Sequence, residues 1–182
     1  LNEAAVENVT LWSDMRGEHD SFFVFGKGLN HETNQFFFYG REGSNFGSDA
    51  DGFLVRRVGS HRVVTIDMAQ TPGLSFPFNL FGTMPGHKLD WLDSVLTQLG
   101  APTPLNQTFV MAHFPNAHIP RQYSSDGLSF PEIMEKHGVT AYMCGHAHLS
   151  GMYGRAGGDD DSERTLELEL ASWVEDRAVR VA

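Results

Sequence analysis

Short apolar runs that alternate with helix-patterned segments constrain this chain more than any other feature. Residues 108–112 (Thr-Phe-Val-Met-Ala) and 139–144 (Val-Thr-Ala-Tyr-Met-Cys) are apolar over a length that suits a buried strand better than a helix. Before the first run, Leu89, Leu92, Val95, Leu96 and Leu99 recur at three- and four-residue steps across 88–99, and Gly100 with Pro102 supplies the stop. Between the two runs, Ser129 sits three residues ahead of Glu132, with Pro131 in the first turn and Gly138 beyond His137. That is a capping box and stop around a short helix. Upstream, 52–58 and 62–67 read as two strands joined through Gly59-Ser60, because glycine first in a two-residue loop favours a hairpin. Strand, helix, strand, helix, strand in this order predicts an α/β layered fold with parallel neighbours. Leu166, Leu168 and Leu170 alternate with Glu167 and Glu169, the pattern of a half-exposed strand, and 178–181 offers another. The aromatic clusters at 22–25 and 36–39 read as core, and Asp159-Asp160-Asp161 as a solvated turn.

One domain over residues 1–182 is the expectation from length, with no internal repeat and no dividing linker. Its 23 acidic residues against 13 basic ones, a formal charge of -10, would repel a phosphate backbone, which argues against nucleic acid as a bulk partner. No run approaches the roughly 18 apolar residues that a membrane span requires. Cys144 is the one cysteine, so no internal disulfide can form. A chain that starts at Leu1 rather than Met and stops at Val181-Ala182 inside a strand-like run reads as a domain cut at both ends.

Three histidines stand just after predicted strands: His113 after the first apolar run, His146 and His148 after the second. Ligands in α/β sheets gather at the carboxyl ends of strands, and imidazole suits zinc, iron and manganese. Any one of these histidines alone would more often be a packed or surface side chain; three at equivalent strand ends favour metal binding. Gly145 and Ala147 leave room for both rings of the His-x-His pair to face one cavity. His31, His61, His87 and His137 lack such partner spacing. His118 lies in the loop 116–125 that follows His113, and with Arg121, whose guanidinium suits phosphate, it is a candidate for lining a substrate pocket.

The motifs His113-Phe114-Pro115 and Gly145-His146-Ala147-His148, about thirty residues apart, resemble the last two sequence blocks of the calcineurin-like metallophosphoesterases. Arg16-Gly17-Glu18-His19-Asp20 resembles the family's Gly-Asn-His-Asp block, with Glu18 in place of the asparagine. Similarity to the transmembrane protein 62 group of that superfamily extends through 12–22, through 71–73 with 76–82, and through 168–177. The resemblance implies a metallophosphoesterase-like β-sandwich flanked by helices, incomplete at its N-terminus. It implies two divalent or transition metal ions (Mn, Fe or Zn), with Glu18, His113 and His146 on one and His148 on the other. It implies that His19 assists phosphoryl transfer to and from a phosphoester substrate, and that the parent protein is membrane-anchored. The family's opening Asp-x-His and Gly-Asp blocks do not occur in 1–16, so this chain by itself is expected to be inactive. Two rivals stand beside the hydrolase: a non-catalytic module that keeps the fold for interaction or structure, motivated by Glu18 and those blocks, and a mononuclear zinc hydrolase using His113, His146 and His148 alone.

Overall fold

The computed structural model describes residues 53–69, 81–148, 151–153 and 165–170. Glu18, His19, both aromatic clusters, the Asp159-Asp160-Asp161 run, the strand expected at 178–181 and the resembled segments at 12–22 and 71–80 lie outside the described residues.

The expected hairpin forms from β1 (Phe53–Val58) and β2 (His61–Ile66), paired antiparallel from Phe53 opposite Ile66 to Val58 opposite His61. Gly59 takes the turn at φ 61, a value that costs a side chain strain and glycine almost nothing. Helix α1 (Gly86–Leu99) starts two residues before the periodic run and leads to β3 (Thr108–Met111). A single 3₁₀ turn (Asn116–His118) and helix α2 (Phe130–Lys136) lead to β4 (Ala141–Cys144). The capping box of α2 is present, with the Ser129 backbone N–H donating to Glu132 Oε2 at 2.8 Å. Two further strands, β5 (Gly151–Tyr153) and β6 (Leu166–Glu169), complete a six-stranded mixed sheet of order β1-β2-β3-β4-β6-β5. Pairing is parallel across β2, β3, β4 and β6, and antiparallel at both outer pairs. This is the expected α/β class with parallel neighbours, each crossover between β2, β3 and β4 carrying one helix.

Registry explains which side chains are inside. Val64 pairs with Val110 and Val110 with Tyr142, so these three share a face, and all are buried with Leu89, Leu92 and Leu96 of α1 and Ile133 and Met134 of α2. Each fully buried leucine of α1 is worth about 1.5–3 kcal/mol of transfer free energy, so the apolar stripe holds the helix down. The opposite face, with Val63, Phe109, Met111, Met143 and Leu168, is only half-buried.

The same registry decides which face of β6 is covered. Glu167 lies opposite Tyr142 and Glu169 opposite Cys144, which turns both acids towards the helix-covered face, where Glu169 is 6% exposed. Leu170 is 60% exposed. The alternation marks a half-exposed strand as expected, and its buried member is Glu169: Glu169 Oε1 accepts from Ala147 N–H and Glu167 Oε1 from Asn116 N–H.

Candidate functional site

Both histidine-bearing turns leave the sheet at the carboxyl ends of adjacent parallel strands. Beyond β3, Ala112 N–H still donates to Met143 C=O at 3.1 Å, and Gly145 N–H then donates to His113 C=O at 2.9 Å. These bonds carry the ladder one step past both strands and set His113 beside His146. Their ring centres are 5.4 Å apart at an interplanar angle of 79°. His118, delivered by the 3₁₀ turn, brings its ring to 5.0 Å from that of His146, at 90°. Phe114 underlies the group, fully buried, 5.0 Å from the ring of His113 and 4.8 Å from that of His146.

Several bonds fix the 113–118 loop. The Tyr142 hydroxyl donates to Phe114 C=O, Gly82 N–H donates to His118 C=O at 2.9 Å, and Asn116 N–H donates to Glu167 Oε1 at 3.1 Å. Burial drives the Tyr142 hydroxyl well above its ordinary range, so it stays a donor at any physiological pH. Burial also pushes the Glu167 carboxyl upward. The Asn116 N–H and the Cys144 thiol, 3.7 Å away, pull it back, while the nearby Glu169 adds to the rise. The buried Cys144 thiol is raised chiefly by desolvation and further by both glutamates, so it remains a thiol.

The turn that carries His146 is strained. His146 has φ 81, and Ala147 N–H donates back to Gly145 C=O at 3.2 Å, which makes a three-residue turn with a positive-φ histidine at its centre. Such turns are rare for side chains that carry a Cβ. His148 follows at φ 58 and is solvent-exposed. Two left-handed histidines in three residues cost on the order of 1–3 kcal/mol each, a burden that clusters at functional sites.

Two imidazoles sharing a tetrahedral ion, each nitrogen about 2.0–2.1 Å from it, hold their ring centres about 5 Å apart. The pair at 5.4 Å suits that spacing, and suits edge-to-face ring packing equally. Among the described residues no group of three or more His, Cys, Asp or Glu side chains is arranged to hold a metal ion. The described residues thus offer two imidazoles at ligand spacing and no closed donor group. His118 adds one pertinent atom: its Nδ1 is buried and has no hydrogen-bond partner among the described residues. Arg121 lines a cavity of about 240 Å³ with Asn116, Ile119, Met84 and Phe130, next to the histidine loop, and its guanidinium carbon lies 5.8 Å from the Tyr123 ring centre. Glu169, which sequence reasoning passed over, donates no ring to the group but accepts from Ala147 N–H at 3.1 Å.

With this geometry in view, the similarities of the chain point to metallophosphoesterase-like proteins. It is 26% identical over 183 residues to transmembrane protein 62 of Mus musculus, an alignment covering 100% of this chain and 26% of that protein. It is 28% identical over 142 residues to an Arabidopsis thaliana protein provisionally named as a metallophosphoesterase, covering 78% of this chain and 19% of that one. The chain thus spans about a quarter or less of the length of these curated relatives. No protein-family model matches it. Among the described residues, no helix is long and apolar enough to cross a membrane.

Proposed function

We propose that this chain carries the histidine-bearing half of a metal-dependent phosphoester hydrolase site. The observation that carries the reading is the meeting of His113 and His146 at the ends of adjacent parallel strands, with His146 on a strained turn. The relative named as a metallophosphoesterase supports it at the level of reaction class. Glu18, His113 and His146 would hold one ion and His148 a second, both of the Mn, Fe or Zn kind. Bound there, such ions supply Lewis acidity to phosphate oxygens and lower the pKa of an attacking water. The chain's own residues do the rest. His19 protonates the departing oxygen. Arg121 binds a non-bridging phosphate oxygen from the cavity it lines, and the open Nδ1 of His118 receives a substrate hydrogen bond. Likeness to a protein named transmembrane protein 62 supports a parent protein associated with a membrane.

The test uses the full-length protein: metal content and hydrolysis of bis(p-nitrophenyl) phosphate are measured for the natural sequence, His113→Ala and His146→Ala. Loss of both metal and turnover in the variants is expected. A natural protein that holds no metal, or variants that keep both properties, would overturn the reading. A second reading, a non-catalytic module with this fold, is favoured by the lack of a closed donor group among the described residues. Stoichiometric metal without turnover would select it. On the hydrolase reading, Glu18→Asn raises turnover and moves the alkaline-side activation to lower pH, because it removes a negative charge beside the ions.

A further inference from the structure

A turn centred on a positive-φ histidine does not persist by itself; something must hold it. The Ala147 N–H that closes this turn onto Gly145 C=O at 3.2 Å is shared with Glu169 Oε1 at 3.1 Å. Glu169 comes from the end of β6, is 6% exposed, and is fixed in register by Leu170 N–H donating to Cys144 C=O at 2.9 Å. Two residues earlier on the same face of β6, Glu167 accepts the N–H of Asn116 at the start of the 3₁₀ turn that delivers His118. One strand thus sends a carboxylate to each of the two loops that bear the clustered histidines. A buried carboxylate accepting a backbone N–H makes a charge-assisted bond, roughly twice as strong as a neutral one. A solvent-facing Glu on a strand has no need of such a partner.

We propose that Glu169 is a positioning residue: its carboxylate clamps the strained Gly145-His146-Ala147 turn and so aims the His146 ring at His113, with Glu167 performing the same office for the 113–118 loop. The proposal deepens the metal-site reading given above and rests on it only for its consequence for metal affinity. The clamp itself is a property of the metal-free protein. A carboxylate is the suited group because its oxygen can hold a shared N–H that already spends part of its strength on Gly145 C=O. An apolar residue of the same size would leave the turn to its own strain.

Two variants of the full-length protein separate the clamp from mere filling of space. Glu169→Gln keeps an acceptor oxygen, and Glu169→Leu keeps the bulk without it. In metal-free protein, the Leu variant should speed hydrogen exchange at the Ala147 amide by about tenfold or more, the equivalent of one lost charge-assisted bond. It should also shift or broaden the ring signals of ¹⁵N-labelled His146, while the Gln variant, whose neutral oxygen makes a weaker bond, should fall between the two in both. Zinc dissociation constants, measured by competition with a chromophoric chelator, should rise about 10–100-fold for the Leu variant, the usual effect of losing an outer partner of a ligand. Natural Ala147 exchange and His146 signals in the Leu variant would overturn the proposal. Should that variant fail to fold, the Gln variant decides: faster exchange at Ala147 upholds the clamp, and exchange as slow as in the natural protein overturns it. If the natural protein binds no zinc, the hydrolase reading fails while the amide and ring signals still judge the clamp.

Discussion

Gly82→Ala tests how tightly the floor of the histidine cluster is packed. A Cβ built on Gly82 would lie 2.9 Å from Cδ2, 3.0 Å from Cγ and 3.1 Å from Cβ of Phe114. Carbon atoms are in comfortable contact at about 3.5–4.0 Å, so Phe114 or the Gly82 backbone must retreat by roughly 0.5–1 Å. Neither retreats easily. Phe114 is fully buried, its carbonyl is bonded by Tyr142, and Gly82 N–H is itself bonded to His118 C=O. Overpacking of this kind costs about 1–3 kcal/mol. Against it stands about 0.4–1 kcal/mol gained by restricting the unfolded chain on Gly→Ala replacement, so the net expectation is a loss of about 0–2.6 kcal/mol. The ring of Phe114 lies 4.8 Å from that of His146, so relief of the clash passes to the site. Urea denaturation with the m-value compared between variants measures the first effect, and zinc affinity the second. A Gly82→Ala protein more stable than the natural one would refute the packing argument, and lost stability with unchanged zinc affinity would refute the link from Phe114 to His146.

Arg62→Met should destabilise by about 3 kcal/mol or more, since the buried guanidinium serves the carbonyls of Leu99, Gly100 (3.0 Å) and Asn106 (3.3 Å), which would be left unpaired; thermal denaturation of the variant checks this. Asp93 joins α1 to the end of α2 through Lys136 Nζ at 2.8 Å and His137 Nε2 at 2.7 Å. Burial raises its carboxyl, but these partners outweigh burial and hold it below its ordinary value of 3.8. A depressed folded-state value means the stabilisation is full above about pH 4 and is lost as pH falls further, so Asp93→Asn should lower Tm slightly at pH 7 and remove that part of the acid dependence, for less than about 1 kcal/mol because the pair is partly solvated. Cys144, buried and with its thiol held protonated by desolvation, should react with a disulfide reagent no faster than the protein unfolds; a rapid reaction in native buffer would contradict that environment.

What was legible in the sequence follows from what local pattern can encode. The hairpin, both helices and strands β3 and β4 were readable because leucine spacing, the capping box and Gly59-Ser60 act within a few residues of themselves. Strand β5 was not, since three residues, Gly151–Tyr153, offer no periodicity and exist as a strand only through β6. The placement of His113 beside His146 follows from parallel neighbours bringing equivalent strand ends together, whereas His148, expected to join them, is solvent-exposed. His118 was harder to weigh: one turn of 3₁₀ helix decides whether it faces the cluster, and that turn is set by Glu167 from a strand some fifty residues on (Asn116 and Glu167 are separated by 51).

The acids of β6 mark where sequence reasoning runs out. An alternating Leu-Glu-Leu-Glu run states a period and says nothing about which face is wet, and the usual assumption is that leucine goes inward. Here the exits of β3 and β4 leave two partly exposed backbone N–H groups, at Asn116 and Ala147, within reach of the β6 carboxylates. Each bond to a carboxylate contributes on the order of 1 kcal/mol there, since water could otherwise meet part of the demand. Meeting both with carboxylates from one strand places Glu169 on the covered face and, in the same act, stabilises a histidine conformation that local sequence would not select. The strain at His146 and the burial of Glu169 are therefore one structural choice, and a variant that moved leucines inward by exchanging the acids should release the turn even if the sheet survived.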